Sequence, residues 1–244
     1  MSAIAATSLR FRPALWPAVF ASLTFVLLVG LGSWQGQRMF WKQGIIDERQ
    51  AGYSATAVVL PERESAIEPL MWRRVKVTGH FLHAQELHLA ARSLRGNVGT
   101  HVLTPLVRDN GQTVLVNRGW VPSQLKDASR RAAGQIAGTV TLEGIVTPGS
   151  RKGWFTPDND PSRGLWLWAD LAAMAQTLGR PLQPLVLDAD DAPNPGGFPI
   201  GGQTRIDLPN DHLQYALTWY ALAAALLVIF VLYSRRPELS EEEA

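Results

Sequence analysis

Cysteine is absent from this chain of 244 residues. Its absence excludes disulfides, thiolate catalysis, CxxC redox chemistry and cysteine-ligated zinc, copper or iron–sulfur centres. The methionines are few and scattered, at Met1, Met39, Met71 and Met174. No methionine cluster therefore replaces the missing thiolates as a Cu(I) site, and we do not expect copper delivery.

A large net charge is also missing, since 23 Lys and Arg nearly balance 21 Asp and Glu. Without a basic block, nucleic acid is not an expected partner. The glycine-rich run from Gly196 to Gly202 lacks the GK[ST] ending of a phosphate loop, and neither G-x-S-x-G nor H-E-x-x-H occurs. No acidic or cysteine pattern completes a metal site around His80, His83, His88 and His101. The sequence thus gives little support to a membrane-tethered enzyme.

Two long apolar runs are present, at residues 13–34 and 215–233. A run of ~20 apolar residues crosses ~30 Å of hydrocarbon. Trp16 and Trp34 mark the ends of the first run, as Tyr215 and Tyr233 mark those of the second, at a separation of roughly 27 Å for a helix. A cleavable signal peptide is the alternative for the first run, but its apolar core is usually about 7–15 residues. We therefore predict two transmembrane helices.

The runs divide the chain into an extracytoplasmic soluble domain at 35–214 and a cytoplasmic tail at 234–244. Arginines beside the outer ends of both spans favour cytoplasmic termini, although Arg38 and Lys42 oppose them. Long loops cross the membrane largely regardless of charge, so we expect the domain on the periplasmic side. The short leader does not resemble a transit peptide, which favours a bacterial cytoplasmic (inner) membrane as the location.

Between the spans, the pattern is β-rich. The helical spacing of Trp34, Arg38 and Trp41 predicts that the first helix continues to about residue 50. Alternating apolar residues predict antiparallel strands at 74–79, 86–92, 100–107, 113–121 and 139–146. The Asn110-Gly111 step predicts a hairpin, and Asp170 and Gly179 bound a predicted helix ahead of a strand at 182–188. The predicted fold is an α+β soluble domain, an antiparallel sheet or small barrel, flanked by two transmembrane helices.

Five motifs occur in order along nearly the whole chain. They are Gly32-Ser33-Trp34-Gln35 with Arg38 and Trp41-Lys42, the segment 74–79, Thr104-Pro105-Leu106, the segment 116–122, and the segment 210–219 that leads into the second span. With these motifs the chain resembles the surfeit locus protein 1 family, assembly factors for cytochrome c oxidase. The resemblance implies a non-enzymatic role in maturing the haem- and copper-containing catalytic subunit, with transient haem a binding. It also implies contact with the machinery that makes haem a.

His212 is the leading candidate for a ligand of the haem iron. It lies in the first turn of the second span, where the positive end of the helix dipole favours neutral imidazole, the form that ligates iron. Tyr215, Ala216, Trp219 and Ala223 follow, with aromatic edges beside small residues against which a porphyrin or another helix can lie. The alternative is an ordinary interfacial aromatic belt with His212 as a polar residue at the headgroup level.

Arg118 and Trp120 are further candidates for contact with a haem propionate or an oxidase loop. The alternative is a structural arginine and a core tryptophan. The same two interpretations apply to Trp34, Arg38 and Trp41 on the first helix. They either contact the surface that carries Arg118 and Trp120 or simply pack. At the level of function, the alternative is a scaffold that stabilises an oxidase assembly intermediate without binding haem.

Overall fold

The structure, a computed structural model, describes residues 9–150, 152–206 and 208–237. Its internal contacts divide the chain into two units. The helical unit comprises the residues up to Asp47 and those from Asp207 onward, and the barrel unit is Glu48–Ile206. The predicted cytoplasmic tail lies outside the described residues from position 238 onward.

The elements follow one another in an order that places long helices near both ends and strands between them. They are β1 (Leu9–Phe11), α1 (Leu15–Ser54), β2 (Val58–Val59), β3 (Arg74–Phe81), β4 (Leu87–Leu94), β5 (Asn97–Val107), β6 (Thr113–Pro122), β7 (Thr139–Thr147), α2 (Leu171–Leu178), β8 (Val186–Ala189), α3 (His212–Ser234) and β9 (Arg235–Pro237). Short 3-10 turns connect several of them.

In the helical unit, α1 contacts α3 near its start, at His212 and Tyr220. At one end β1 pairs antiparallel with β9, and the rings of Phe11 and Phe230 meet edge to face. Further along, a Cβ added to Gly32 would lie only 2.9 Å from the Tyr220 ring, whose hydroxyl is 3.1 Å from Ser33 Oγ. Glycine at this position allows the close approach that membrane helices use when they pack.

The outer surfaces of these helices are apolar and exposed. Only 6% of the apolar window in α1 and 11% of that in α3 is buried. A core helix of a soluble protein would bury most of such a window, so a lipid environment accounts for this surface better than a protein core does. Both helices are long and apolar enough to cross a membrane, in agreement with the two predicted spans.

The barrel unit is built on a closed ring of five strands. The order β3, β7, β8, β6, β5 returns to β3 through the pairs His80–Val107 and Phe81–Leu106. Strand β4 adds to β5, and β2 adds to β3. Of the two predicted arrangements, the small barrel is therefore the one that forms. Most pairs are antiparallel, but β8 runs parallel to β6, which the sequence did not predict.

Two apolar layers lie on the two faces of this sheet. One fills the barrel, with Val75, Val116 and Leu187 among its members. The other lies outside, where Leu103, Leu115 and Val186 pack with Trp166 and with Met174 of α2. Strand β6 contributes to both layers and is buried along nearly its whole length, which explains why its sequence is a near-continuous apolar run.

The predicted local elements are present. The turn between β5 and β6 closes with an Arg108 N to Gln112 O hydrogen bond of 2.9 Å, and Gly111 has φ +80°. Asp170 caps α2 through Ala173 N, and Gly179 ends it in the left-handed region. Strand β8 begins only at Val186, later than the predicted 182, because Pro184 has no N–H to donate to a ladder. Helix α1 continues to Ser54.

Candidate functional site

His212 is the first residue of α3, and a side chain of α1 holds its ring. Its Nδ1 lies 2.7 Å from Gln35 Oε1. An amide oxygen only accepts, so Nδ1 carries the proton and the Nε2 lone pair remains for another partner. The ring is half-buried. A histidine that is oriented through one nitrogen and free at the other is the usual arrangement of a metal-ligating imidazole.

Asn210 adds a second polar link between the two segments. Its Nδ2 lies 3.3 Å from both Met39 O and Gln43 Oε1. The turn that precedes α3 is thereby attached to α1 next to the Gln35–His212 contact. These bonds fix the position of the first turn of α3 and therefore the direction of the His212 ring.

The residues predicted to share a face with His212 divide into two groups. His212, Ala216 and Tyr220 follow at four-residue spacing, and since the first and last contact α1, the buried Ala216 lies on that side. Tyr215 is instead 56% exposed, and Trp219 is half-buried. Ala216 thus faces α1, whereas the Tyr215 ring remains exposed one turn from His212.

On α1, the predicted aromatic stripe is exposed. Trp34 and Trp41 are 55% and 54% exposed, and the Arg38 guanidinium lies 3.9 Å from the centre of the Trp41 ring. This cation–π contact is local to one helix face. The rings are therefore surface groups within the helical unit and do not form a packed core there.

Arg118 occupies a bulge in β6, where it is the extra residue between the pairs Asn117–Leu103 and Gly119–Val102. Its side chain is 2% exposed. Nη2 donates to Gly134 O at 2.5 Å and Asn194 Oδ1 at 3.0 Å, and Nη1 lies 3.7 Å from Glu86 Oε1. Desolvation lowers the pKa of Arg118 to about 10, while Glu86 acts to raise it and Arg131 to lower it. These contacts support the structural alternative for this residue.

Trp120, two residues further, is also enclosed, with 5% exposure. Its indole Nε1 donates to Arg92 O at 3.2 Å, and its backbone pairs with Ile200. A tryptophan whose polar atom already has a protein partner is typical of a core position. The contacts of Trp120 thus favour the core interpretation as well.

Sequence reasoning missed three features of these sites. Gln35 stood in the first family motif, but nothing local linked it to His212. The ion pairs of Glu86 with Arg118 and Arg131 join distant segments. A polar group of Asn117, His101 and Asp188 is assembled only by strand pairing. Only the two-residue alternation within each strand could have indicated that Asn117 and Leu115 share a face.

Within residues 9–150, 152–206 and 208–237, no three His, Cys, Asp or Glu side chains are grouped so that they could hold a metal ion. A haem iron differs from such a site because the porphyrin supplies four ligands and the protein needs to give only one or two. The single oriented imidazole of His212 fits that requirement.

Known proteins match the chain over most of its length. A family model described as "SURF1 family" matches residues 22–224. "Surfeit locus protein 1" of Xenopus tropicalis is 42% identical, over 82% of this chain and 70% of that protein. A "SURF1-like protein" of Monosiga brevicollis is 38% identical over 96% and 93%, and the Homo sapiens "Surfeit locus protein 1" is 40% identical over 82% and 71%. The chain therefore belongs to the SURF1 family.

Proposed function

We propose that this chain is an assembly factor for a haem-copper terminal oxidase, and that it assists the delivery of haem a to the catalytic subunit or its retention there. Membership in the family supports the assembly role. The observation that carries the haem part is the 2.7 Å hydrogen bond from His212 Nδ1 to Gln35 Oε1. No turnover by this chain is required.

The side chains of the helical unit have distinct tasks in this proposal. His212 offers Nε2 as an axial ligand, and Gln35 holds the ring in the required tautomer and orientation. Tyr215 and Trp219 offer aromatic surface on the same helix. Haem a, when bound, supplies an iron centre that accepts the imidazole nitrogen. Arg118 and Trp120 have no part in binding here, because their polar groups are bonded within the barrel unit.

The first test replaces the orienting residue. We expect Gln35→Leu to lower haem retention by about tenfold, as second-shell changes do at metal sites, and His212→Ala to lower it further. Gln37→Leu is the matched control, since Gln37 is exposed on the same helix. The measurement is the haem to protein ratio, with the absorbance spectrum, of each purified full-length variant. Equal haem content in His212→Ala and the parent protein would contradict the assignment.

The alternative function is a haem-independent scaffold that stabilises an oxidase assembly intermediate through its helices. The packed Gly32–Tyr220 contact and the exposed apolar faces of α1 and α3 are compatible with helix–helix association. Co-purification with the catalytic subunit separates the two proposals. Loss of haem with an unchanged yield of the complex and of active oxidase in His212→Ala cells would favour the scaffold.

The cellular context follows from the same proposal. The partners are the oxidase catalytic subunit, the machinery that makes haem a and the lipid bilayer. The proposed location is a bacterial inner membrane, with the barrel unit in the periplasm. Deletion of the gene is expected to remove the a-type cytochrome signal from reduced-minus-oxidised membrane spectra. Alkaline phosphatase inserted after Gly111, at the tip of the β5–β6 turn, is expected to be active, whereas an inactive insertion would place the barrel unit in the cytoplasm.

A further inference from the structure

Three neighbouring strands of the barrel, β5, β6 and β8, each change from apolar to polar residues on the outer face. Leu103, Leu115 and Val186 belong to the outer apolar layer. Two positions along each strand, on the same face, the residues are His101, Asn117 and Asp188. Asn117 and Asp188 are paired across β6 and β8. The polar group is therefore continuous across the sheet and adjoins an apolar floor.

Hydrogen bonds connect these side chains. Asn117 Nδ2 donates to Asp188 Oδ1 at 2.9 Å and lies 3.4 Å from His101 Nδ1. Thr204 Oγ1 lies 3.4 Å from Asp188 Oδ2. In the part of the chain that the structure describes, no cation forms an ion pair with Asp188. A carboxylate in such a place usually has a charged partner. Asp188 instead has only polar hydrogen-bonding partners.

Two arginines face the same space. Arg92 Nη1 and Nη2 donate to the carbonyls of Ala90 and Leu167 at 3.2 and 3.3 Å, which holds the guanidinium in place. Arg205 is exposed and forms no ion pair or hydrogen bond with another described residue. No carboxylate among the described residues pairs with either arginine. Two guanidinium groups so placed repel each other, and an anion between them would relieve the repulsion.

The space between these groups is a cavity of about 480 Å³. Arg92, His101, Asn117, Asp188 and Arg205 all line it. Other polar positions on its wall are Ser93, Thr147, Ser150 and Gln203. The volume is within the range of sites that take small molecules, and the apolar floor with several convergent polar groups is typical of them.

We propose that this cavity binds a small anion bearing a carboxylate or phosphate group, with Arg92 and Arg205 as the charge partners and Asn117 as a hydrogen-bonding partner. A cation is disfavoured, because Asp188 is the only acidic residue that lines the described wall and two arginines oppose it. Arginine suits either anion, since its planar donors match the oxygens of both groups. This site is separate from the proposed haem ligand, which lies in the helical unit.

Protonation of Asp188 is expected to strengthen the binding of an anion in the cavity. The titratable or charged groups that line the cavity are Arg92 on β4, His101 on β5, Asp188 on β8 and Arg205 on the segment after β8. Desolvation, with smaller contributions from Arg92 and Arg205, lowers the pKa of His101 to about 4, so this ring is neutral near pH 7. Desolvation raises the pKa of Asp188 to about 6. A bound anion repels the ionised carboxylate, so affinity should rise as pH falls through 6.

The experiment uses the full chain in phosphatidylcholine nanodiscs and measures binding by calorimetry at constant ionic strength. The probes are sulfate and trifluoroacetate, whose charge does not change between pH 5 and pH 8. We expect sulfate to bind about tenfold more tightly at pH 5.5 than at pH 7.5, which corresponds to a tenfold change in the acid dissociation constant of Asp188 when sulfate binds. Arg205→Gln should weaken binding at least tenfold, and Arg63→Gln, at an exposed site outside the cavity, should not.

Two further variants keep the result decisive. Arg92→Gln tests the second guanidinium, and because this change also removes two internal hydrogen bonds, its melting temperature is measured alongside. Asp188→Asn should retain sulfate binding but lose its pH dependence. Sulfate binding that is absent from the parent protein, or equal in parent and Arg205→Gln, would overturn the proposal.

The same chemistry is offered by a soluble anion and by a lipid headgroup. Repeating the titration in nanodiscs that contain phosphatidylglycerol distinguishes them. Competition that is lost in Arg205→Gln would identify a headgroup as the occupant, whereas unchanged sulfate binding would identify a soluble anion.

Discussion

At the scale of single residues, Glu86 in the barrel unit lies between two buried arginines. Its side chain is 3% exposed, and those of Arg118 and Arg131 are each 2% exposed. Arg131 donates to both carboxylate oxygens of Glu86, and Arg131 Nε also donates to Leu125 O at 3.0 Å. The carboxylate therefore compensates two buried cations at once, and each depends on it.

Glu86→Gln is expected to lower the free energy of unfolding by about 3–5 kcal/mol, because both guanidinium groups would remain buried without their counter-charge. Glu143→Gln is the control. Glu143 pairs with Arg74 and Lys76 at the surface, where its side chain is 31% exposed, and its loss should cost about 0–1 kcal/mol. Urea titration of the purified variants, followed by tryptophan fluorescence, measures both. Similar costs for the two variants would contradict the buried-network argument.

The raised pKa of Asp188, about 6 against the usual 3.8, has a defined effect on stability. Between these values the folded state holds a proton that the unfolded state has released, so stability falls as pH rises and remains lower above pH 6. Asp188→Asn removes this cost. We expect the variant to exceed the parent at pH 8 by at most about 3 kcal/mol, with the difference vanishing near pH 4. A difference independent of pH, measured in anion-poor buffer, would refute this.

At the scale of elements, the bulge in β6 determines where Arg118 points and where the segment around Ile200 docks. Trp120 exchanges two backbone hydrogen bonds with Ile200, at 2.8 and 2.9 Å. Gly119, between Arg118 and Trp120, has φ +116°, and a Cβ there would meet the backbone of Ile200 and Gly201. A glycine is needed at this position for two reasons, its own dihedral angle and the close approach of another backbone.

Gly119→Ala is therefore expected to destabilise the barrel unit by more than Gly111→Ala. Gly111 also has a positive φ, +80°, but open space surrounds its Cβ position, so only the backbone strain of about 1–2 kcal/mol applies there. The steric clash at Gly119 adds to that strain. Melting temperatures of the two variants, measured side by side, provide the comparison. Equal shifts in melting temperature would mean that the Ile200 segment moves away without further loss of stability.

At the scale of the whole molecule, the barrel unit contains both apolar layers. All members of these layers lie between Leu60 and Leu187, within Glu48–Ile206. A segment with its own core is expected to fold alone. Residues 48–206 expressed by themselves should give a monomeric, cooperatively melting protein with a β-rich circular dichroism spectrum. Val116→Asp in the same segment, which buries a charge in the barrel, is the control that should not fold. Aggregation of both forms would contradict independence.

The features predicted correctly from the sequence are those that depend on residues close together in the chain. The Asn110-Gly111 turn, the Asp170 and Gly179 caps and the two apolar helices depend on neighbouring residues, and the structure confirms them. The closure of β5 onto β3 and the parallel alignment of β8 with β6 depend on residues far apart in the chain. Alternation predicts which residues of a strand share a face, but it carries no information about which strand lies beside it.

The same distinction between local and long-range signals applies to the candidate sites. The composition and the pattern of apolar residues by themselves determined that cysteine chemistry is excluded and that two helices can span a membrane, and they placed His212 in the first turn of the second. Only the tertiary structure decided that Gln35 orients His212, that Arg118 is enclosed by Glu86 and Asn194, and that Asn117 and Asp188 meet at one cavity. The reason is physical: a polar side chain acquires its role from the partner that packing brings to it, and that partner is distant in sequence.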